Sequence, residues 1–146
     1  MLTVKTEGLN RVKKRFSKME HRGRDPKQVM NLIGAKAWKE IVQTNFNNER
    51  NKDGKKWEPL KYRQGKLLED QGILRGSIRW EASKLQSKVF TIIKYARRHN
   101  KGYPGKKGKE GKWQKGRAPT PKREFMFISQ KSSNNFTKML LNYIKG

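Results

Sequence analysis

The chain has 146 residues, enough for one hydrophobic core and too few for two independent ones, and its 37 Lys and Arg against 12 Asp and Glu leave a net charge of +25 that implies a polyanionic partner. With 32% hydrophobic residues and a mean hydropathy of −1.10, part of it is expected to stay solvated or to order only within an assembly. The absence of cysteine excludes disulfides and thiolate chemistry, His21 and His99 are too far apart for a metal motif, and no run nears the roughly 18 to 20 apolar residues that span a bilayer, so no cofactor, metal, membrane partner or signal peptide is expected and the chain is placed in a cytoplasm.

In chain order, residues 2–6 alternate apolar and polar and read as a first strand. After Gly8, the helical spacing of Leu9, Val12, Phe16 and Met19 predicts an amphipathic helix covered by Arg11, Lys13, Lys14, Arg15 and Lys18. That basic face is either simply solvated or lies on a membrane or on nucleic acid. Residues 1–24, ending in a basic linker over 21–24, form an N-terminal strand and helix segment ahead of the main part of a single domain, residues 25–146.

Asp25, Pro26 and Gln28 predict a helix start, and Met30, Ile33, Ala37 and Ile41, flanked by Trp38, Val42 and Phe46, predict a long core helix running to about residue 45. Asn45, Asn47, Asn48 and Asn51 compete with the helical backbone and predict its end. Beyond an Asp53-Gly54 turn, Trp57, Pro59 and Leu60 form an apolar anchor whose indole is expected to be buried. Leu68, Ile73, Leu74 and Ile78 around Gly72 predict two short helical turns.

From Ile78 the period becomes two. Ile78, Trp80 and Ala82, then Val89, Phe90, Ile92 and Ile93, predict a β-hairpin over 78–94, followed by a short helix from Tyr95 and Ala96 that stops at Gly102. Residues 101–122, with glycines every few positions, predict a long pliable loop. Its Lys101, Lys106, Lys107, Lys109, Lys112, Lys115, Arg117 and Lys122 are answered by Glu110 alone, while Tyr103 and Trp113 supply aromatic faces. Residues 125–128 read as a strand. Residues 132–145 read as a closing helix whose Phe136, Leu140, Tyr143 and Ile144 need a cover, either the same sheet or a neighbouring subunit. The sum is an α+β domain: an antiparallel sheet containing the hairpin, packed by the long helix and the C-terminal helix, with a long basic loop.

Four groups of residues, in this order, resemble the phage virion morphogenesis family, the tail-completion or head-tail joining proteins of Mu-like and related phages. They are Trp57, Pro59 and Leu60 after an acidic-glycine turn; Leu68, Gly72, Leu74, Ser77 and Ile78; Tyr95, Ala96, His99 and Gly102; and Arg123, Phe125 and Ser129 ahead of the last helix. The resemblance spans roughly residues 25 to 145. Two departures stand out: Asp70 and Gln71 precede Gly72 where Thr or Ser is usual, and Glu124 stands where Pro commonly follows the Arg. The resemblance implies a tail terminator, tail-completion or neck protein acting as an oligomeric ring, a hexamer by family, at the head-proximal end of the tail. Its neighbours would be tail-tube and connector proteins and the packaged DNA, with assembly in the bacterial cytoplasm.

Composition by itself supports a different class, a non-specific nucleic-acid-binding protein using basic flexible segments. Residues 101–122 would meet either a DNA backbone or an acidic neighbouring protein. Catalysis has little to stand on, since Glu69-Asp70 is the only adjacent carboxylate pair, and no enzyme is expected.

Overall fold

The computed structural model describes residues 2–4, 10–20, 25–61, 64–69, 71–115 and 118–145. The expectations for residues 5–9, the linker 21–24, Asp70, Arg117 and the side chains of Arg11 and Val12 lie outside them.

The chain is α+β. Strand β1 (Leu2–Val4) and the hairpin strands β2 (Arg79–Ala82) and β3 (Ser87–Thr91) form an antiparallel sheet in the order β1-β3-β2. Val89 lies opposite both Val4 and Trp80, which makes the apolar second hairpin strand the central one. Helix α1 (Asn10–Glu20) buries Phe16 and Met19, the described half of the predicted stripe, and leaves Lys13, Lys14, Arg15 and Lys18 exposed.

The long helix begins as its sequence requires. Asp25 Oδ1 accepts the Lys27 amide at 2.9 Å, and Pro26 is already helical at φ −66. It runs through α2 (Lys27–Lys39), a π-helical segment Glu40–Asn45 and α3 (Phe46–Asn48), ending on Glu49 at φ 50. Its predicted stripe is buried throughout: Met30, Ile33, Ala37, Ile41, Val42 and Phe46. α2 covers β2 and β3, and the close approach depends on Gly34, where an added Cβ would stand 2.6 Å from the Trp80 ring. Trp38 packs on Trp80 from the helix side at a tilt of 44° and donates its indole N–H to the Ile78 carbonyl at 2.9 Å.

Helix α6 (Gln130–Lys145) is capped by Ser129, whose Oγ accepts the Ser132 amide at 3.2 Å. It buries Phe136 and Leu140 and packs on α2 and α1, so the cover within the chain is helical where the sheet was expected. Phe16 meets Tyr143 edge-on at 6.3 Å across that contact.

Three further expectations are corrected. Around Gly72 there is one short helix, α4 (Ile73–Gly76), while Leu67 and Leu68 form only a turn, with Leu68 at φ 61. Residues 125–128 are not a strand, because their backbone is satisfied by side chains reaching in from elsewhere. Asn45 Nδ2 donates to the Phe125 and Phe127 carbonyls at 2.8 and 2.9 Å, and Asn100 Oδ1 accepts the Phe125 and Met126 amides at 2.9 and 2.8 Å. Buried backbone polar groups must be paired, and here four of them are paired without a ladder.

The loop 101–122 starts inside α5 (Ala96–Lys101) and, over its described residues, is not open: it folds back on itself as a ribbon. Tyr103 and Thr120 exchange both backbone hydrogen bonds at 2.8 and 2.7 Å, and a second bridge joins Lys107 to Trp113 nearer the tip.

Candidate functional site

The predicted motif residues, scattered from 57 to 125, meet in one region. Trp57, 4% exposed, stands edge-on to Phe46 at 6.2 Å, and Phe46 in turn contacts Phe125 at 5.3 Å. The Trp57 amide donates to the Glu49 carbonyl at 2.8 Å, which fixes the chain just before Pro59 and Leu60. Arg123, 6% exposed, donates from Nε and Nη2 to the Glu58 carbonyl at 3.2 and 3.0 Å and from Nη2 to Pro59 at 3.4 Å, while its own amide donates to the His99 carbonyl at 2.8 Å. The Arg of the last motif therefore ties the first motif to the third. Gly102, at φ 75, lies against Lys122, and Ala96 is fully buried.

The second motif joins through Leu74, which is buried, and Ser77, whose Oγ donates to the Leu74 carbonyl at 2.7 Å and lies 2.6 Å from Thr91 Oγ1 on the sheet. Gly72 turns the chain into α4 at φ 69. At Glu124, the amide donates to Asn51 Oδ1 at 2.8 Å and the carboxylate pairs with Lys122 at 3.2 Å. A proline there would lose the first of these bonds, so the departure from the usual motif is built into this fold.

Between the motifs lies a cleft of about 490 Å³ lined by Leu60, Leu68, Gln71, Ile73, Leu74, Tyr95, His99 and Arg123. Ile73 and Tyr95 are exposed at its rim. His99 takes the Tyr95 ring edge-on at 5.9 Å, and its Nδ1 is buried without a hydrogen-bond partner. Burial, then the Arg123 and Arg98 guanidinium groups, hold its pKa below the usual 6.5. Among the described residues the lining holds no carboxylate, and its one hydroxyl is the Tyr95 phenol. Among the described residues no group of three or more His, Cys, Asp or Glu side chains converges. Shape recognition by apolar walls is the chemistry this cleft offers.

A match to the phage virion morphogenesis family model covers residues 8–145. The chain belongs to the phage virion morphogenesis family. No curated protein and no solved structure matches it significantly. Membership makes it a bacteriophage morphogenesis protein of the virion, and among the described residues no helix is long and apolar enough to cross a membrane.

The described basic residues of 101–122 do not join the family cluster. Lys106, Lys107, Lys109, Lys112 and Lys115 are exposed along the ribbon with Trp113, Lys101 ends α5, and Lys122 is held at the ribbon's base by Glu124. Sequence reasoning missed Asn45, Asn51 and Asn100, which are among the buried polar residues. One signal was available for the first: Asn45 lies four residues after Ile41, on the helix's apolar stripe, where a polar side chain must find buried partners.

Proposed function

We propose that this protein is a structural, non-enzymatic subunit of the tail-head junction, a tail-completion, tail-terminator or head-tail joining protein that works as an oligomeric ring at the head-proximal end of the tail. The observation that carries the reading is the family match over residues 8–145. Surfaces suited to neighbours support it. Among the described residues β1 and β2 each pair on one side only, and Leu32, Ile73, Trp80, Leu85, Ile92, Tyr95 and Leu141 are exposed apolar groups. The neighbours in this reading are further copies of the chain, six by family resemblance, with tail-tube and connector proteins above and below.

The test is deletion of the coding sequence from its phage with imaging of the lysate. Accumulation of filled heads beside unattached tails, restored by the protein in trans, is the expected result, together with a ring mass by native mass spectrometry. Normal joined particles without the protein would overturn the reading.

A second reading, a non-specific nucleic-acid-binding protein, draws on the basic ribbon and the net charge of +25. It predicts binding by the purified protein whether or not rings form.

A further inference from the structure

We propose that the ribbon over residues 103–115 and 118–120 is a preorganised grip for the sugar-phosphate backbone of nucleic acid, an inference that rests on the second reading and locates its site. The ribbon is shaped from its base upward. Arg98 lies over the Tyr103 ring at 4.2 Å and donates to the Ala118 carbonyl at 2.9 Å, which staples both strands of the ribbon to α5. The paired Tyr103 and Thr120 close the base, and Gln114 N–H to Lys106 carbonyl and Gly108 N–H to Lys112 carbonyl, at 3.1 and 2.8 Å, close the upper part. Gly111, at φ 72, donates to the Gly108 carbonyl at 3.0 Å and turns the tip.

Gly105 has a separate duty. At φ +85 it faces the Trp113 ring and Pro119, and an added Cβ would stand 2.8 Å from the ring and 2.9 Å from the proline nitrogen. The indole therefore rests on bare backbone, takes the Lys107 ammonium at 5.0 Å on its ring, and still presents 47% of its surface to solvent.

This frame holds Lys106, Lys107, Lys109, Lys112 and Lys115 exposed, and none of them forms an ion pair among the described residues. Like charges crowded on a narrow ribbon repel one another until an anionic partner relieves them. Ammonium groups are point charges that suit phosphate oxygens, and each phosphate neutralised releases a counterion. An exposed indole beside them gives a base a face to stack on. An acidic protein would use the charge and leave the indole without a role, so nucleic acid is the partner the geometry favours.

The experiment measures the affinity of the full-length protein for a duplex and for a single strand, each in two unrelated sequences, from about 50 to 200 mM salt. Wild type is expected to bind unrelated sequences equally, with a steep salt dependence. Replacing all five lysines with Gln should lower the log-log slope on duplex by about 0.9 for each phosphate that is no longer neutralised. Trp113→Ala should weaken single-strand binding at least about fivefold and duplex binding less, which separates the two sources of phosphate. Gly105→Ala keeps every charge and should still weaken binding, because it disturbs the seat of the indole.

If the five-lysine variant fails to fold, Lys109→Gln with Lys112→Gln at the tip reads the same slope with a smaller drop. A wild type that binds no nucleic acid overturns both the second reading and this inference. A wild type that binds while the lysine variants keep its slope overturns this inference alone. Unaltered affinity in Gly105→Ala, or displacement of DNA by polyglutamate at equal charge, overturns the preorganised grip and points to a diffuse field or to an acidic protein.

Discussion

Residues 123–129 and the described residues of 103–120 both run without a regular helix or strand, yet they meet the backbone's hydrogen-bonding requirement in largely opposite ways. In the inner segment most of the bonds come from side chains: Asn51 takes the Glu124 amide, Asn100 takes the next two, Glu40 Oε1 takes that of Ser129 at 2.9 Å, and Asn45 serves two carbonyls, beside the backbone bonds of the Arg123 and Phe127 amides. In the ribbon the bonds are mainly backbone to backbone, and the side chains are left to solvent. An irregular segment in the core must recruit polar side chains and becomes sensitive to every one of them. At the surface, a ribbon that pairs with itself frees its side chains for a partner.

The largest effect is expected beneath the inner segment. Trp57→Ala removes the indole that backs Phe46 and through it Phe125, and should cost about 3 to 5 kcal/mol. Chemical denaturation would measure it, and an unchanged midpoint would mean that the aromatic stack does not support the segment.

Asn100→Leu keeps the number of side-chain heavy atoms and removes the acceptor shared by two buried amides, at an expected cost of about 1 to 3 kcal/mol. The same substitution at the exposed Gln114 should be close to neutral. Equal losses at the two positions would erase the distinction drawn between the regions.

His99, whose carbonyl accepts the Arg123 amide, adds a pH dependence to the inner side. Its pKa is lowered by burial and by Arg123 and Arg98, so above 6.5 the ring is neutral in folded and unfolded chains alike and does not affect stability. As pH falls below 6.5 the unfolded chain binds the proton first, and stability should drop until the folded pKa is reached. Melting temperatures recorded downward from pH 7 should show this drop in wild type and a flatter profile in His99→Gln.

The smallest effect on stability belongs to the ribbon. Replacing Lys106, Lys107, Lys109, Lys112 and Lys115 with Gln should change unfolding free energy by no more than about 0.5 kcal/mol, because these side chains are solvated and make no ion pair among the described residues. A larger loss in the same denaturation experiment would place the ribbon in the fold's support.

Periodicity determined the elements whose burial repeats along the chain. The stripe from Met30 to Phe46, the alternation of the second hairpin strand at Val89 and Thr91 and the closing helix with Phe136 and Leu140 could be read from residue types alone, because 3.6 and 2 are local properties of the backbone. The four motifs likewise identified the family before any contact was known. Tertiary structure alone decided what the asparagines do, since competition with a helix and clamping of a distant buried backbone call for the same side chain. Only the fold, by bringing residue 45 beside residues 125 and 127, chooses the second. It decided the ribbon for the same reason. Glycine spacing is equally consistent with an open loop and with a cross-bridged one, and the choice rests on Trp113 finding Gly105 and on Arg98 reaching Tyr103 and Ala118. Those contacts join positions that no local period relates.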